Sequence, residues 1–495
     1  MATVLATPGV YIEEKSAFGS SVVPVATAIP AFIGYTQKAT RGTKSLINVP
    51  TKITSFAEFE QFFGGAPKTR FKLDETGTLE ALPSTRYLLH SSMRFYFANG
   101  GGDCYIVSVG DYTKGIKAKD LNDDATESGL PTLLKYLEPT LLVIPDAVLL
   151  STTECYQLQQ AMLMHCGHAM RNRFAVIDVI GGDQKRTNDD EDVINKFRFG
   201  IGTAHLQWGA AYYPYVKTTV VSSSEIDFTN VDNPDGLIEY LSAAVNSDLE
   251  SGRINAARAD AIKAEIGKIS SAKTADEITS LQSTLKTISP RLNGILSDMS
   301  ELLNVLPPSA GMAGIYAMVD NSVNVAKAPA NISLGSVIAP AVQITNDDQE
   351  ELNLPLNGKA VNAIRSFVGK GVLVWGARTL DGNSADWRYI SVRRTMTYLE
   401  QSIKFAAEAF VFEPNNGTTW STMKATVNNF LVNQWQSGLL AGQNPDDAFS
   451  VEVGLGTTMT PNDVLDGVLR MSIKVAITRP AEFIVITFEQ QQQKS

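Results

Sequence analysis

Apolar and polar positions follow three different patterns along this chain, and each predicts a different kind of element. Short unbroken apolar runs come first. Ala31-Phe32-Ile33-Gly34, Cys104 to Val109, Leu141 to Ile144 and Phe174 to Val179 read as strands buried on both faces. Helical segments lie between them. Ser55 with Glu58 three residues on makes a capping box ahead of Phe59, Phe62 and Phe63. A helix over Tyr87 to Ala98 stops at Asn99-Gly100-Gly101-Gly102, where glycine supplies the positive φ of a helix end. Another runs from about Thr152 to Asn172. Strand, helix, strand with apolar runs predicts a parallel α/β domain over residues 31–233.

From Pro234 the pattern becomes amphipathic. Ile254, Ile262, Ile266 and Ile269 recur at helical spacing, and Thr274 with Glu277 makes a second capping box. Residues 234–305 read as a helical insertion of two or three helices, closed by Pro307-Pro308, with 306–351 completing the α/β domain. The stretch 352–495 holds a strand (Gly371 to Trp375), a long helix (Ser391 to Phe410), a second helix (Thr419 to Ser437) and closing strands at Met471 to Ile477 and Phe483 to Phe488. At the other end, within residues 1–30, Pro8-Gly9 precedes a short strand, Val10-Tyr11-Ile12. The fold class is therefore α/β and α+β, multidomain, with a helical insertion.

Composition narrows the function more than the fold. With 495 residues, two or three domains are expected. A net charge of −10 argues against a nucleic-acid binder, which needs a basic surface. Cys104, Cys155 and Cys166 are sparse and odd in number, as in a reducing compartment. The N-terminus lacks a basic region and turns acidic where a signal peptide stays apolar, and no apolar run has membrane-spanning length. Any role outside the cell then requires release by lysis or inside a particle.

Candidate chemistry is thin. There is no GxxxxGK[ST] loop and no GxSxG elbow; Gly181-Gly182-Asp183 after a strand reads as a plain turn. His165, Cys166 and His168 cluster, but on a helix Cys166 points away from the histidines, and no second Cys/His pair follows. Met162, Cys166 and Ala169 read instead as a buried face. Asp347, Asp348, Glu350 and Glu351 crowd what reads as a solvated loop lacking the turn glycine of a calcium site. With four histidines in all, no triad is assembled. No catalytic, cofactor-binding or metal residue is assigned, and no cofactor is expected.

Fragments in order along the chain do carry a resemblance. TPGVYIEE, VPVATAIPAFIGYT, SFAEFEQFFGG, FYFANGGGDCYIVSVG, LLVIPDA, HCGHAMRNRFAVIDV and AAYYPYV are followed by LPPSAGMAGIYAMVD, KAPAN, LNGKAVNAIR, VWGARTL, WRYISVRRTMTYLEQSI, FEPNNGTTW, GLLAG and PAEFIVITFEQ. Apart from the helical insertion, the chain resembles the contractile tail sheath family of phages and extracellular injection systems. The resemblance implies an inner domain built from both chain ends, an outer α/β domain inserted between, and terminal strands that complete sheets in neighbouring subunits. It implies a helical homopolymer around an inner tube protein, with baseplate and terminal cap proteins as further partners, no nucleic acid and no membrane insertion. Assembly would take place in the bacterial cytoplasm.

On that reading the inter-subunit arms are Val10, Tyr11 and Ile12 and, at the far end, Phe483, Ile484, Val485 and Ile486. Arg393 and Arg394, on the Ser391 to Phe410 helix, either pair with acids inside their own domain or are candidate contacts to an acidic tube. A static tube or shell protein would share the composition but need no mobile terminal arms; a third class is an α/β enzyme with an unrecognised site.

Overall fold

The computed structural model describes residues 22–485, and the chain divides into two compact units. Among the described residues, the larger comprises 26–394 and 479–485, and the smaller joins 22–25 to 395–478.

The larger unit is built on a nine-stranded sheet. Its order is Ile332–Ser333, Gly371–Val374, Asn362–Phe367, Gly209–Tyr213, Phe174–Asp178, Leu141–Val143, Pro30–Gly34, Cys104–Ser108, Thr51–Ile53. The six strands from Asn362–Phe367 to Cys104–Ser108 are parallel, and the outer strands are antiparallel. The four apolar runs of the first half are central strands, buried along their whole length. Side chains alternate between two apolar layers. Ala31 and Ile33 enter the layer of the Thr152–Met164 and Val193–Gly200 helices; Phe32 enters that of Leu89–Ala98 and Ser309–Ser322. Ser55 caps its helix by accepting from the Glu58 N–H, but the Glu58 carboxylate reaches back to the N–H of Thr54 rather than of Ser55.

Three expectations change. The domain boundary at 351/352 falls within one unit, because Asn362–Phe367 pairs in parallel with Gly209–Tyr213. The helix expected through Asn172 turns into a π-helix over His165–Met170, so Met162, His165 and Cys166 are buried and Ala169 is exposed. The insertion contains four helices: Pro234–Glu250, Ala256–Gly267, Ala275–Ile288 and Pro290–Leu303. Their core includes Leu241, Ile266, Leu285 and Met299, but also Phe71 from the Phe71–Leu73 and Leu79–Ala81 hairpin, and Ile226, Phe228 and Val231.

That shared core sets how the bundle can be removed. Excising residues 234–303 alone would strand Phe71 and Phe228, each 0–2% exposed, in water. Both true ends are closed: Val221 N–H donates to Asn304 Oδ1 (2.9 Å), and Leu82 N–H to the Arg70 carbonyl (2.8 Å). Replacing 222–303 and 71–81 with short turns is expected to leave a folded remainder, since such closures cost little entropy. Its near-UV circular dichroism should persist and its thermal midpoint should move by only a few degrees. Loss of the cooperative transition would place the bundle in the main core.

The smaller unit packs Val22, Leu399, Val427, Phe430, Leu431, Leu440 and Val451 together. Its helix Gly417–Gln436 backs a two-stranded antiparallel sheet, Phe449–Val453 with Met471–Val475.

Candidate subunit interface

The two-stranded sheet defines the first candidate surface. Its register runs from Phe449 opposite Val475 to Val453 opposite Met471. Over these residues each strand has one partner among the described residues, so each presents one edge of unpaired backbone N–H and C=O groups. An isolated two-stranded sheet is marginal in water, and this one is held by its apolar face.

The second surface is the C-terminal segment. Met471 to Ile477 was expected as a strand, and Met471–Val475 is one. Phe483, Ile484 and Val485 were expected to continue as another, but they adopt no strand and are 67%, 78% and 88% exposed. The physical reason is local: no neighbouring backbone among the described residues pairs with them. Three successive apolar side chains in water are costly unless something covers them. Ile486 and, at the other end, Val10, Tyr11 and Ile12 lie outside the described residues.

Just before the exposed run, Glu482 is tied down. Its carboxylate accepts from Arg378 Nη2 (2.6 Å), Asn353 Nδ2 (2.8 Å) and the Tyr389 hydroxyl (3.1 Å). Burial opposes its ionisation, but these donors outweigh that cost and hold the carboxyl below its ordinary range. Sequence reading missed this pair; the one signal is an acid standing alone before the apolar run Phe483-Ile484-Val485-Ile486.

Arg393 and Arg394 are corrected from tube contacts to interior groups. They are 4% and 5% exposed. Arg393 lies between the rings of Trp208 and Trp387, each 4.3 Å from the guanidinium carbon. Arg394 forms a bidentate pair with Asp320 (Nη1–Oδ1 3.1 Å, Nη2–Oδ2 2.5 Å), donates to the Thr27 carbonyl (2.9 Å) and stands 4.7 Å over the Tyr316 ring. A group with these partners inside one chain has nothing left to offer a tube.

The other clusters are also committed internally. His165 Nε2 lies 3.1 Å from Arg173 Nη1, and burial then the arginine push its pKa down to about 3. Burial raises the thiols of Cys155 and Cys166 to about 12, so they remain unreactive. Asp347, Asp348, Glu350 and Glu351 lie on a helix, Asn346–Asn353, not a loop. Thr345 and Asp348 form its capping box, and Glu351 bridges Arg186 and Arg198.

The parallel strands cross over between Pro30–Gly34 and Leu141–Val143, the switch point where open α/β sheets usually leave a ligand crevice. Here Asp146 fills it. Its carboxylate accepts from the backbone N–H groups of Leu88 (2.7 Å) and Tyr35 (3.1 Å) and presses on Gly34, where an added Cβ would stand 2.5 Å from Oδ2.

Comparison with known proteins follows the same outline. Residues 383–491 match the model of the phage tail sheath C-terminal domain. A tail sheath protein of Vibrio phage KVP40 is 24% identical over 184 residues, which is 37% of this chain and only 26% of that protein's length. Among solved structures, the helical sheath of the anti-feeding prophage in its contracted state is 29% identical, with a TM-score of 0.62 over 99% of this chain and 100% of its own. The contracted sheath complex of PVC, an extracellular contractile injection system, is 27% identical, with a TM-score of 0.60 over 99% of both chains. These matches run through the four-helix bundle, which is thus no departure from the injection-system sheaths. Sequence fragments, domain model and whole-chain fold agree, and over nearly its whole length the chain is similar to contractile tail sheath proteins.

Proposed function

We propose that this chain polymerises helically around an inner tube and contracts to drive that tube through a target envelope, with baseplate and terminal cap proteins at the two ends. The observation that carries this reading is a pairing of unmet needs. Among the described residues, a two-stranded sheet has open edges, and an exposed apolar segment at Phe483 to Val485 has no sheet of its own. Strand addition between copies satisfies both. Backbone pairing of this kind tolerates sliding and rotation of rigid units, because several hydrogen bonds of about 0.5–1.5 kcal/mol each act in parallel. Head-to-tail exchange that does not close on itself makes a filament.

Chains ending at Glu482, or lacking residues 1–15, are expected to give folded subunits that form no ordered sheath by electron microscopy. Long ordered sheaths from either truncation would refute arm exchange. Particles whose length never changes on triggering would instead favour a static tube.

A further inference from the structure

Glu482 stands at the root of the exposed run, and its partner is fixed before it arrives. Arg378 is 2% exposed. Its N–H donates to Asn362 Oδ1 (2.7 Å), its carbonyl accepts from Asn362 Nδ2 (2.8 Å), and Asn362 also donates to the Ala211 carbonyl (3.1 Å). Those bonds mount it on two strands of the main sheet. Its Nη1 donates to the Gly382 carbonyl (3.2 Å), while Nε and Nη2 grip Glu482 at 3.0 and 2.6 Å. A buried guanidinium cannot shed its proton, so the socket strongly favours an occupied state.

We propose that Arg378 and Glu482 form a positioning clasp for strand exchange, fixing the point from which the C-terminal arm leaves each subunit and presenting Phe483 onward to a second copy of this chain. The inference rests on the arm-exchange reading above. Without the clasp, the residues from Arg479 to Glu482 would also have to be ordered at every junction, an entropic cost repeated for each subunit added. With it, every arm starts from the same place, which a regular helix requires.

The test uses full-length protein. E482Q keeps the side-chain shape and removes the charge. Its far-UV circular dichroism and the amide exchange of Asn362–Phe367 should match the parent. The motion of a spin label at position 481, carried by A481C in both backgrounds, should accelerate roughly tenfold, and the critical concentration for sheath formation should rise by about the same factor. E482D, which keeps the charge, should fall between. The triple variant F483S/I484S/V485S should retain slow label motion at the root yet fail to assemble. A loosened root with unchanged critical concentration in E482Q would overturn the positioning role, and so would an unloosened root. Normal assembly of the serine variant would instead refute arm exchange itself. Should E482Q not fold, inserting Gly-Ser between Glu482 and Phe483 moves the arm by up to about 7 Å with the clasp closed. An unchanged critical concentration there would equally refute the proposal.

Discussion

Replacing Asp320 with asparagine is expected to destabilise the subunit by about 3–5 kcal/mol, because it leaves the guanidinium of Arg394 buried without its counter-charge. Both side chains of this pair are nearly inaccessible, at 4% and 2%. The two single replacements should differ. Arginine keeps its charge under all folding conditions, whereas an orphaned aspartate can take up a proton. R394M is therefore expected to cost less than D320N, although it also removes the bond to the Thr27 carbonyl and the contact with the Tyr316 ring. D320L/R394M, which removes both charges, should recover most of the loss. The exposed pair Lys135–Glu127, at 70% and 65%, provides the contrast, and breaking it should cost at most about 1 kcal/mol. Urea unfolding of the unassembled subunit checks the series. A D320N midpoint equal to that of the parent would remove the pair from the stability of the fold.

Those arginines also mark where the sequence stops being informative. The Ser391 to Phe410 helix has an apolar side and a polar side, and local periodicity puts Arg393 and Arg394 on the polar one. What buries them comes from elsewhere in the chain: Trp208, Trp387, Asp320 and Thr27. No window along the sequence contains those partners together. The same limit explains the misplaced boundary at 351/352, since Asn362 pairs with Tyr212 across a gap filled by the whole helical bundle. Local signals did better. The N-cap at Ser55, the capping box at Thr274, the helix end at Asn99-Gly100 and the four buried strands depend on neighbours within a few residues, and the structure contains each of them. Family resemblance supplied what neither pattern nor composition could, the expectation that both chain ends build one inner domain; residues 22–25 do share a unit with 395–478, while 479–485 fall in the other.

Two buried aspartates should make the isolated subunit less stable as pH rises from about 4 to about 7. Burial raises Asp146 from 3.8 to about 6 and Asp178 from 3.8 to about 7. Between the unfolded and folded values the native chain holds more protons than the unfolded chain. Stability from each group is thus complete below the unfolded value and lost as pH climbs through the folded one, at about 1.4 kcal/mol per pH unit per group. Glu482 and Asp192, whose carboxyls are depressed, act in the opposite sense and lose their contribution only on acidification below the ordinary carboxyl range. His165 and His90, lowered by burial to about 3 and about 4, act in that same opposite sense up to about pH 6.5 and offset much of the aspartates' effect in the parent. Amide substitutions separate the two aspartates. Asp178 accepts from the N–H of Ser309 (2.8 Å) and from its hydroxyl, and that hydroxyl can rotate to accept from an amide instead. D178N should therefore fold well, lie slightly below the parent at pH 5, and equal or exceed it at pH 8. Asp146 spends both oxygens on main-chain donors, the N–H groups of Leu88 and Tyr35, so in D146N the amide nitrogen would face an N–H with no acceptor. D146N should be less stable than the parent at every pH. Thermal midpoints by calorimetry from pH 4.5 to 8 distinguish the cases; a D178N profile running parallel to the parent would show that Asp178 does not titrate in this range.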